Sequence, residues 1–476
     1  MTNAVTMRNR TADVAILGAG TAGLGAYRAA KAAGKNALLF EGGVGGTTCA
    51  RVGCMPSKLL IAPAEAAHVL ARFPGFGLEL EGRVKVDGKA VMARVRAERD
   101  RFVGFVTRGV DAIPEADKVQ GYARFVDDRT LVVDEIMTIH AAAIVIATGS
   151  SPSYPPAWKA LGERLLTNDE IFELDDLPES VAVFGPGVIG LELGQALHRL
   201  GVRVKVFGRG GGVGPLSDPT VLGEARKIFG EEFYLDTNAH AEVAREGDEV
   251  VVSYRALDDS AQVERFSYLL AATGRAANVA GLGLEHTTLQ TDKHGVPLFD
   301  RTTLRCGDSS IFIAGDVNND VPLLHEAADE GRIAGENAAS YPLVRKGLRR
   351  APLSVVFSDP QIAIVGNGFA RLRETPHVIG EASFADQGRA RVMLRNQGLL
   401  HVYADARTGL FLGAEMLGPE AEHIGHLLAW ALQMRLTVPQ MLEMPFYHPV
   451  VEEGLRTALR DAQKKLKLAA SARRAA

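Results

Sequence analysis

Asp13-Val14-Ala15-Ile16-Leu17-Gly18-Ala19-Gly20-Thr21-Ala22-Gly23 runs from an apolar strand into three glycines spaced G-x-G-x-x-G. The first glycine permits a tight turn, the second lets a pyrophosphate approach the backbone, and the third lets helix and strand pack closely. An alanine-rich helix through Ala33 follows, then a strand from Asn36 to Phe40 that ends on Glu41. That is a βαβ unit in which a pyrophosphate lies at the positive end of the helix and the terminal carboxylate accepts hydrogen bonds from a ribose diol. Gly18, Gly20, Gly23 and Glu41 are candidate dinucleotide ligands; the plainer alternative for Glu41 is a solvated strand-end acid.

The same pattern returns at Ser180 to Phe184, with Gly185-Pro186-Gly187-Val188-Ile189-Gly190, a helix through Leu200 and a strand from Val202 to Phe207. Where an acid should close that strand stand Gly208 and Arg209. An acid there selects NADH through the 2′-hydroxyl, whereas an arginine can accept a 2′-phosphate. Arg209 therefore points to NADPH or to weak discrimination, unless it merely starts a solvated loop before Gly210-Gly211-Gly212.

Each half closes on a strand and a Thr-Gly turn: Ala141 to Ala147 with Thr148-Gly149, and Tyr268 to Ala272 with Thr273-Gly274. A strand from Ser310 to Ala314 delivers Gly315-Asp316, and Leu323 to Ala339 reads as a helix. From Arg350 the pattern changes to strands (Val392 to Arg395, Leu399 to Tyr403, Leu410 to Glu415) and a helical stretch from Glu420 to Met434, a separate α+β domain.

At 476 residues the chain exceeds one hydrophobic core and should hold about three domains. Its net charge of -4, with both signs mixed, argues against a nucleic-acid surface, and no apolar run reaches the length of a membrane span. A soluble, cytoplasmic protein is expected. The stretch 463–476, rich in Ala, Lys and Arg, reads as a disordered tail.

Chemistry concentrates in Cys49-Ala50-Arg51-Val52-Gly53-Cys54-Met55-Pro56-Ser57-Lys58. With three cysteines in the whole chain, a stapling framework is a poor reading, and a redox pair beside a flavin is the better one. Redox thiols need a helix N-terminus or a nearby cation; Pro56 suits the first turn of the apolar helix that follows Cys54, and Arg51 lies between the sulfurs. Cys306, without a cysteine neighbour, reads as an inert thiol. Near the far end His448 and Glu453 offer an imidazole with an orienting carboxylate, close to a helix start read at Pro449. No metal-ligand pattern is read.

Two nucleotide fingerprints, the Cys49/Cys54 motif with Pro56-Ser57-Lys58, the Gly315-Asp316 turn and the His448-Pro449 to Glu453 segment stand in one order, covering about residues 12 to 460. Together they resemble the pyridine nucleotide-disulfide oxidoreductases, most closely the dihydrolipoyl dehydrogenases. The resemblance implies an α/β fold with two Rossmann-like domains, for FAD (1–150 and 276–350) and NAD(P) (151–275), and a C-terminal α+β dimerisation domain (351–462). It implies FAD contacts from Glu41, Thr48, Lys58, Ala123, Thr148, Gly149, Asp316 and Leu324, and NAD(P) contacts from Gly185, Gly187, Gly190, Arg209 and Gly274. Lys58 would pair with Glu192 near the flavin, Cys49 would exchange with substrate, and Cys54 would face the isoalloxazine. His448 and Glu453 of one subunit would serve the cysteines of the other in a homodimer. The implied activity is oxidation of dihydrolipoamide with NAD+, and a 2-oxoacid dehydrogenase complex is a possible partner. Three positions depart from that pattern: Thr47 for a glycine, Arg51 for an asparagine, and Phe446 for the first histidine of His-x-His-Pro. They leave open an NADPH-dependent reductase of another, possibly anionic, disulfide. A low-turnover flavin redox sensor is a further alternative.

Overall fold

The computed structural model describes residues 8–475, with side chains to residue 473. The backbone forms two compact units: residues to 56, 97–153 and 275–349 make the first; 57–96, 154–274 and 350 onward make the second.

The first unit is built on a seven-stranded sheet. Arg8–Leu17 lies at its centre between Ala37–Glu41 and Met137–Ile146, all parallel, and its inner end is a continuous apolar run: Val14, Ala15 and Ile16 have no exposed surface. Strands covered on both faces read this way, without alternation. The helices Thr21–Ala32 and Leu324–Ser340 pack against each other, and Gly331 and Gly335 make the approach possible: a Cβ there would fall 2.1 and 2.4 Å from the carbonyl oxygens of Ala22 and Ala26.

The second unit carries a parallel five-stranded sheet with Ser180–Phe184 and Arg203–Phe207 at its middle, and an antiparallel five-stranded sheet from residues 353–418. The helices Ala421–Gln433 and Glu453–Ala475 pack on the antiparallel sheet. The architecture is thus two Rossmann-like nucleotide-binding folds and a C-terminal α+β domain.

Residues 57–96 group with the second unit, because Leu60, Ile61, Ala64, Met92 and Val95 share one core with Val183, Leu191 and Val356. Three expectations are corrected. Val392 to Arg395 is not a strand: Gly388–Val392 is a short helix capped by Gln387, whose Oε1 accepts the Ala390 N–H, and the residues after it turn. The helix near the C-terminus opens at Glu453 and not at Pro449. The expected tail is helical to Ala475, because Leu466 packs on the C-terminal core and Lys465 donates to the Ile379 carbonyl; Ala476 lies outside the described residues. Among the described residues no helix is long and apolar enough to cross a membrane.

Candidate functional site

In the first unit the three fingerprint glycines answer to different constraints. A Cβ on Gly18 would lie 2.4 Å from the Ala147 carbonyl oxygen, and one on Gly23 would lie 1.8 Å from that of Gly18. Both are closed by packing. At Gly20, the N-cap of the helix Thr21–Ala32, an added Cβ meets nothing within 4 Å, which is the open approach a pyrophosphate needs. Glu41, at its strand end, accepts the Ala19 N–H at 3.0 Å and the Gly43 N–H at 2.8 Å, so its carboxylate is held at the rim of that opening. The residues present fit the dinucleotide part of FAD.

The Thr148-Gly149 turn is knitted to the return segment. Thr148 Oγ1 donates to the Asn278 carbonyl at 2.7 Å, Asn278 N–H donates to the Gly149 carbonyl, and Ser150 Oγ donates to Asp316 Oδ2 at 3.0 Å. Below Asp316, the fully buried Glu330 accepts the Gly315 N–H and Asn318 Nδ2, each at 2.7 Å, and pairs with Arg349 at 2.9 Å. Burial pushes the Glu330 carboxyl up to about 7. The sequence reading missed Glu330, one of three acids, with Glu326 and Asp329, that this helix buries.

Cys49 is half-buried in the short helix Thr48–Arg51, and Cys54 is exposed at the first position of the helix Cys54–His68. The chain between them is tight: a Cβ on Gly53 would lie 3.0 Å from the Thr48 carbonyl oxygen and 3.3 Å from Cys49 Cα. Arg51 Nε is buried and has no hydrogen-bond partner among the described residues. Beside this loop is a cavity of about 440 Å³ whose wall includes Cys49, Thr21, Arg28, Phe102, Phe105 and Leu324. Thr21 and Arg28 share a helix face seven residues apart, which is the pattern that would have revealed Arg28 in the sequence. Arg28 makes no hydrogen bond or ion pair among the described residues. Leu324, expected at the flavin, begins the helix Leu324–Ser340 and is exposed at this wall, while Ala123 begins the strand Ala123–Asp127 and is half-buried.

In the second unit Lys58 Nζ donates to both Glu192 oxygens, at 3.0 and 2.8 Å, and lies 4.5 Å from the centre of the Phe357 ring. Glu192 is buried and also accepts the Phe357 N–H at 2.9 Å. His448 Nδ1 donates to Glu453 Oε2 at 2.9 Å, which leaves Nε2 outward on a ring that is 79% exposed. Desolvation opposes ionisation of Glu453, but the hydrogen bond and charge of His448, with Arg456 beyond, hold its carboxyl below the usual range. Its place in the first turn of the helix Glu453–Ala475 favours the anion further.

The second fingerprint repeats the glycine logic. Gly185 and Gly190 are closed at 2.3 and 1.9 Å by the Ala272 and Gly185 carbonyl oxygens, whereas Gly187, the N-cap of the helix Val188–Arg199, is open. Gly274, after the closing strand, is also open. Arg209 is exposed at the end of the strand Arg203–Phe207, where no acid stands.

Comparison with known proteins gives a family match over most of the chain. Residues 12–331 match the family described as pyridine nucleotide-disulphide oxidoreductase, and 353–459 match its dimerisation domain. A dihydrolipoyl dehydrogenase of Rhizobium etli is 30% identical, covering 94% of this chain and 98% of that protein. A mercuric reductase of Streptomyces lividans is 32% identical, covering 94% of this chain and 95% of that protein. The crystal structure of LpdA from Mycobacterium tuberculosis superposes with a TM-score of 0.79 at 26% identity, covering 95% of this chain and 99% of that one.

Proposed function

The chain belongs to the pyridine nucleotide-disulphide oxidoreductases, which use FAD and NAD(P)H, and on that premise we propose that it exchanges electrons between a dithiol and the nucleotide through Cys49 and Cys54. Dihydrolipoamide, oxidised with NAD+, is the first substrate to test, supported by the dihydrolipoyl dehydrogenases among its relatives. The observation that carries the reading is the cavity beside Cys49: a half-buried thiol in the wall of a substrate-sized recess.

The steps assigned to this chain's residues start from a Cys49–Cys54 disulfide. His448, oriented by Glu453, takes a proton from a substrate thiol, and the thiolate attacks Cys49 Sγ. A substrate–Cys49 bond forms, the Cys49–Cys54 bond breaks, and Cys54 leaves as thiolate, facing the positive end of the helix that it opens. The substrate's second thiol attacks the substrate's first sulfur and passes its proton to the departing Cys49; the substrate disulfide forms, the substrate–Cys49 bond breaks, and the pair is left as a Cys49 thiol and a Cys54 thiolate holding two electrons. FAD, when bound, supplies the two-electron carrier between that pair and the nicotinamide. Glu192 fixes the Lys58 ammonium on the helix of Cys54, one turn on. In a homodimer His448 and Glu453 would act on the partner's cysteines.

Arg28 favours a second reading. An unpaired guanidinium beside aromatic and aliphatic walls suits a disulfide that carries a carboxylate, reduced at the expense of NADPH. Steady-state turnover with lipoamide, dihydrolipoamide and glutathione disulfide, each with NAD(H) and NADP(H), separates the two. Turnover of dihydrolipoamide that exceeds glutathione disulfide supports the first; NADPH-driven glutathione disulfide reduction, with none of dihydrolipoamide, replaces it by the second.

A further inference from the structure

The helix Glu453–Ala475 carries a cation where a helix least favours one. Glu453 suits the positive end of the helix dipole, but Arg456, at the end of the same first turn, does not. Two contacts hold the guanidinium there. Arg456 Nη2 donates to Glu453 Oε1 at 2.5 Å, and the guanidinium carbon lies 5.7 Å from the centre of the Phe446 ring. Phe446 is itself half-buried against the C-terminal core. An exposed ion pair three residues apart on a helix would carry little. Here the Arg456 side chain is 31% exposed and that of Glu453 18%, so both are partly enclosed. Phe446 stands where the family pattern has the first histidine of His-x-His-Pro. A second imidazole there would, when protonated, repel the guanidinium, whereas the phenyl face attracts it.

The two oxygens of Glu453 are thereby divided. Oε1 is taken by a permanent cation, and Oε2 accepts from His448 Nδ1 at 2.9 Å. The turn between the two residues is held as well, since Gln387 Nε2 donates to the Val450 carbonyl at 2.8 Å. A carboxylate with one partner rotates broadly about its last torsion and offers either oxygen, and the imidazole would turn with it. We propose that Arg456, seated on Phe446, is a positioning residue for the thiol chemistry: it fixes the plane of the Glu453 carboxylate and so aims His448 Nε2 at the substrate thiol. The inference rests on the reading of His448 as the base, and it adds the residues that aim it.

Stopped-flow reduction of the flavin in the holoenzyme, by dihydrolipoamide and by dithiothreitol, gives a limiting rate and a half-saturating dithiol concentration. Arg456→Met should lower the limiting rate roughly tenfold, the scale of a misdirected proton acceptor, and leave the half-saturating concentration unchanged. Arg456→Lys should recover part of that loss, because an ammonium keeps a charge at Oε1 without the planar seat on Phe446. Phe446→Leu should lower the rate about threefold, and Phe446→Tyr should keep it. His448→Gln separates the proposal from its premise. It should lower the rate by itself, and Arg456→Met should then cost nothing further in that background, since Arg456 acts only through the imidazole. A rate unchanged by His448→Gln, or a flavin that neither dithiol reduces, would overturn the premise and the proposal with it. A normal rate in Arg456→Met, or an equal loss with and without His448, would overturn the proposal alone. If Arg456→Met fails to retain FAD, Phe446→Leu decides: a loss seen only when His448 is present supports the proposal, and any other result overturns it.

Discussion

Gly187 and Gly190 sit three residues apart in one motif, yet the structure asks different things of them. At Gly190 a methyl would press within 1.9 Å of the Gly185 carbonyl oxygen; at Gly187 it would enter open space. Gly190→Ala should therefore overpack the strand–helix contact, costing about 1–3 kcal/mol and lowering the thermal midpoint. Gly187→Ala should fold and keep FAD but weaken binding of both nucleotides by roughly tenfold, as its methyl intrudes where the pyrophosphate approaches the backbone. Thermal unfolding and nucleotide titration of the two variants check the division; a Gly187→Ala protein with normal affinities would contradict it. The motif itself was legible because glycine spacing is a covalent pattern. Glu330 was not, since it acquires its meaning from the Gly315 N–H that the fold brings to its carboxylate.

At the scale of elements, strands flanked by glycine or covered on both faces were readable from apolar runs, as with Val14 to Leu17 and Val181 to Phe184. Val392 to Arg395 was misread because its alternation is that of an exposed helical turn: Val392 is 63% exposed. Tertiary anchors were invisible too. Asp218 caps the helix Pro219–Glu232 through the Thr220 and Val221 N–H groups, and its other oxygen meets His401 Nδ1 at 2.7 Å and the Tyr403 hydroxyl at 3.0 Å. Glu381 meets His401 Nε2 at 2.8 Å. Burial pulls the His401 pKa down, but the hydrogen bonds and charges of Asp218 and Glu381 outweigh it and raise it above 6.5. The folded state thus prefers the imidazolium. That contribution is fully present below pH 6.5 and is lost as pH rises through the raised folded value. His401→Gln should lower the thermal midpoint by roughly 5 °C at about pH 6, because it leaves buried Asp218 without its cation, and the deficit should shrink at alkaline pH. A deficit constant with pH would mean that His401 acts through packing alone.

At the scale of the molecule, a C-terminal dimerisation domain gives the proposed mechanism a geometric consequence. If His448 serves the partner's cysteines, two inactive variants can restore one another. In a hybrid of a Cys54→Ala subunit with a His448→Gln subunit, one site collects both lesions and the other collects neither. Random pairing makes about half the dimers hybrids with one intact site of two, so co-refolded mixtures should recover about one quarter of wild-type turnover. A mixture of Cys54→Ala with Cys49→Ala should recover none, because every site then lacks one thiol of the pair. Activity in the first mixture cannot arise from sites built within one subunit, since each subunit alone is disabled. If it stays at the level of the separate variants while mixed dimers are demonstrated by differential tagging, His448 and Glu453 belong to their own subunit's cysteines, and the shared site must be given up.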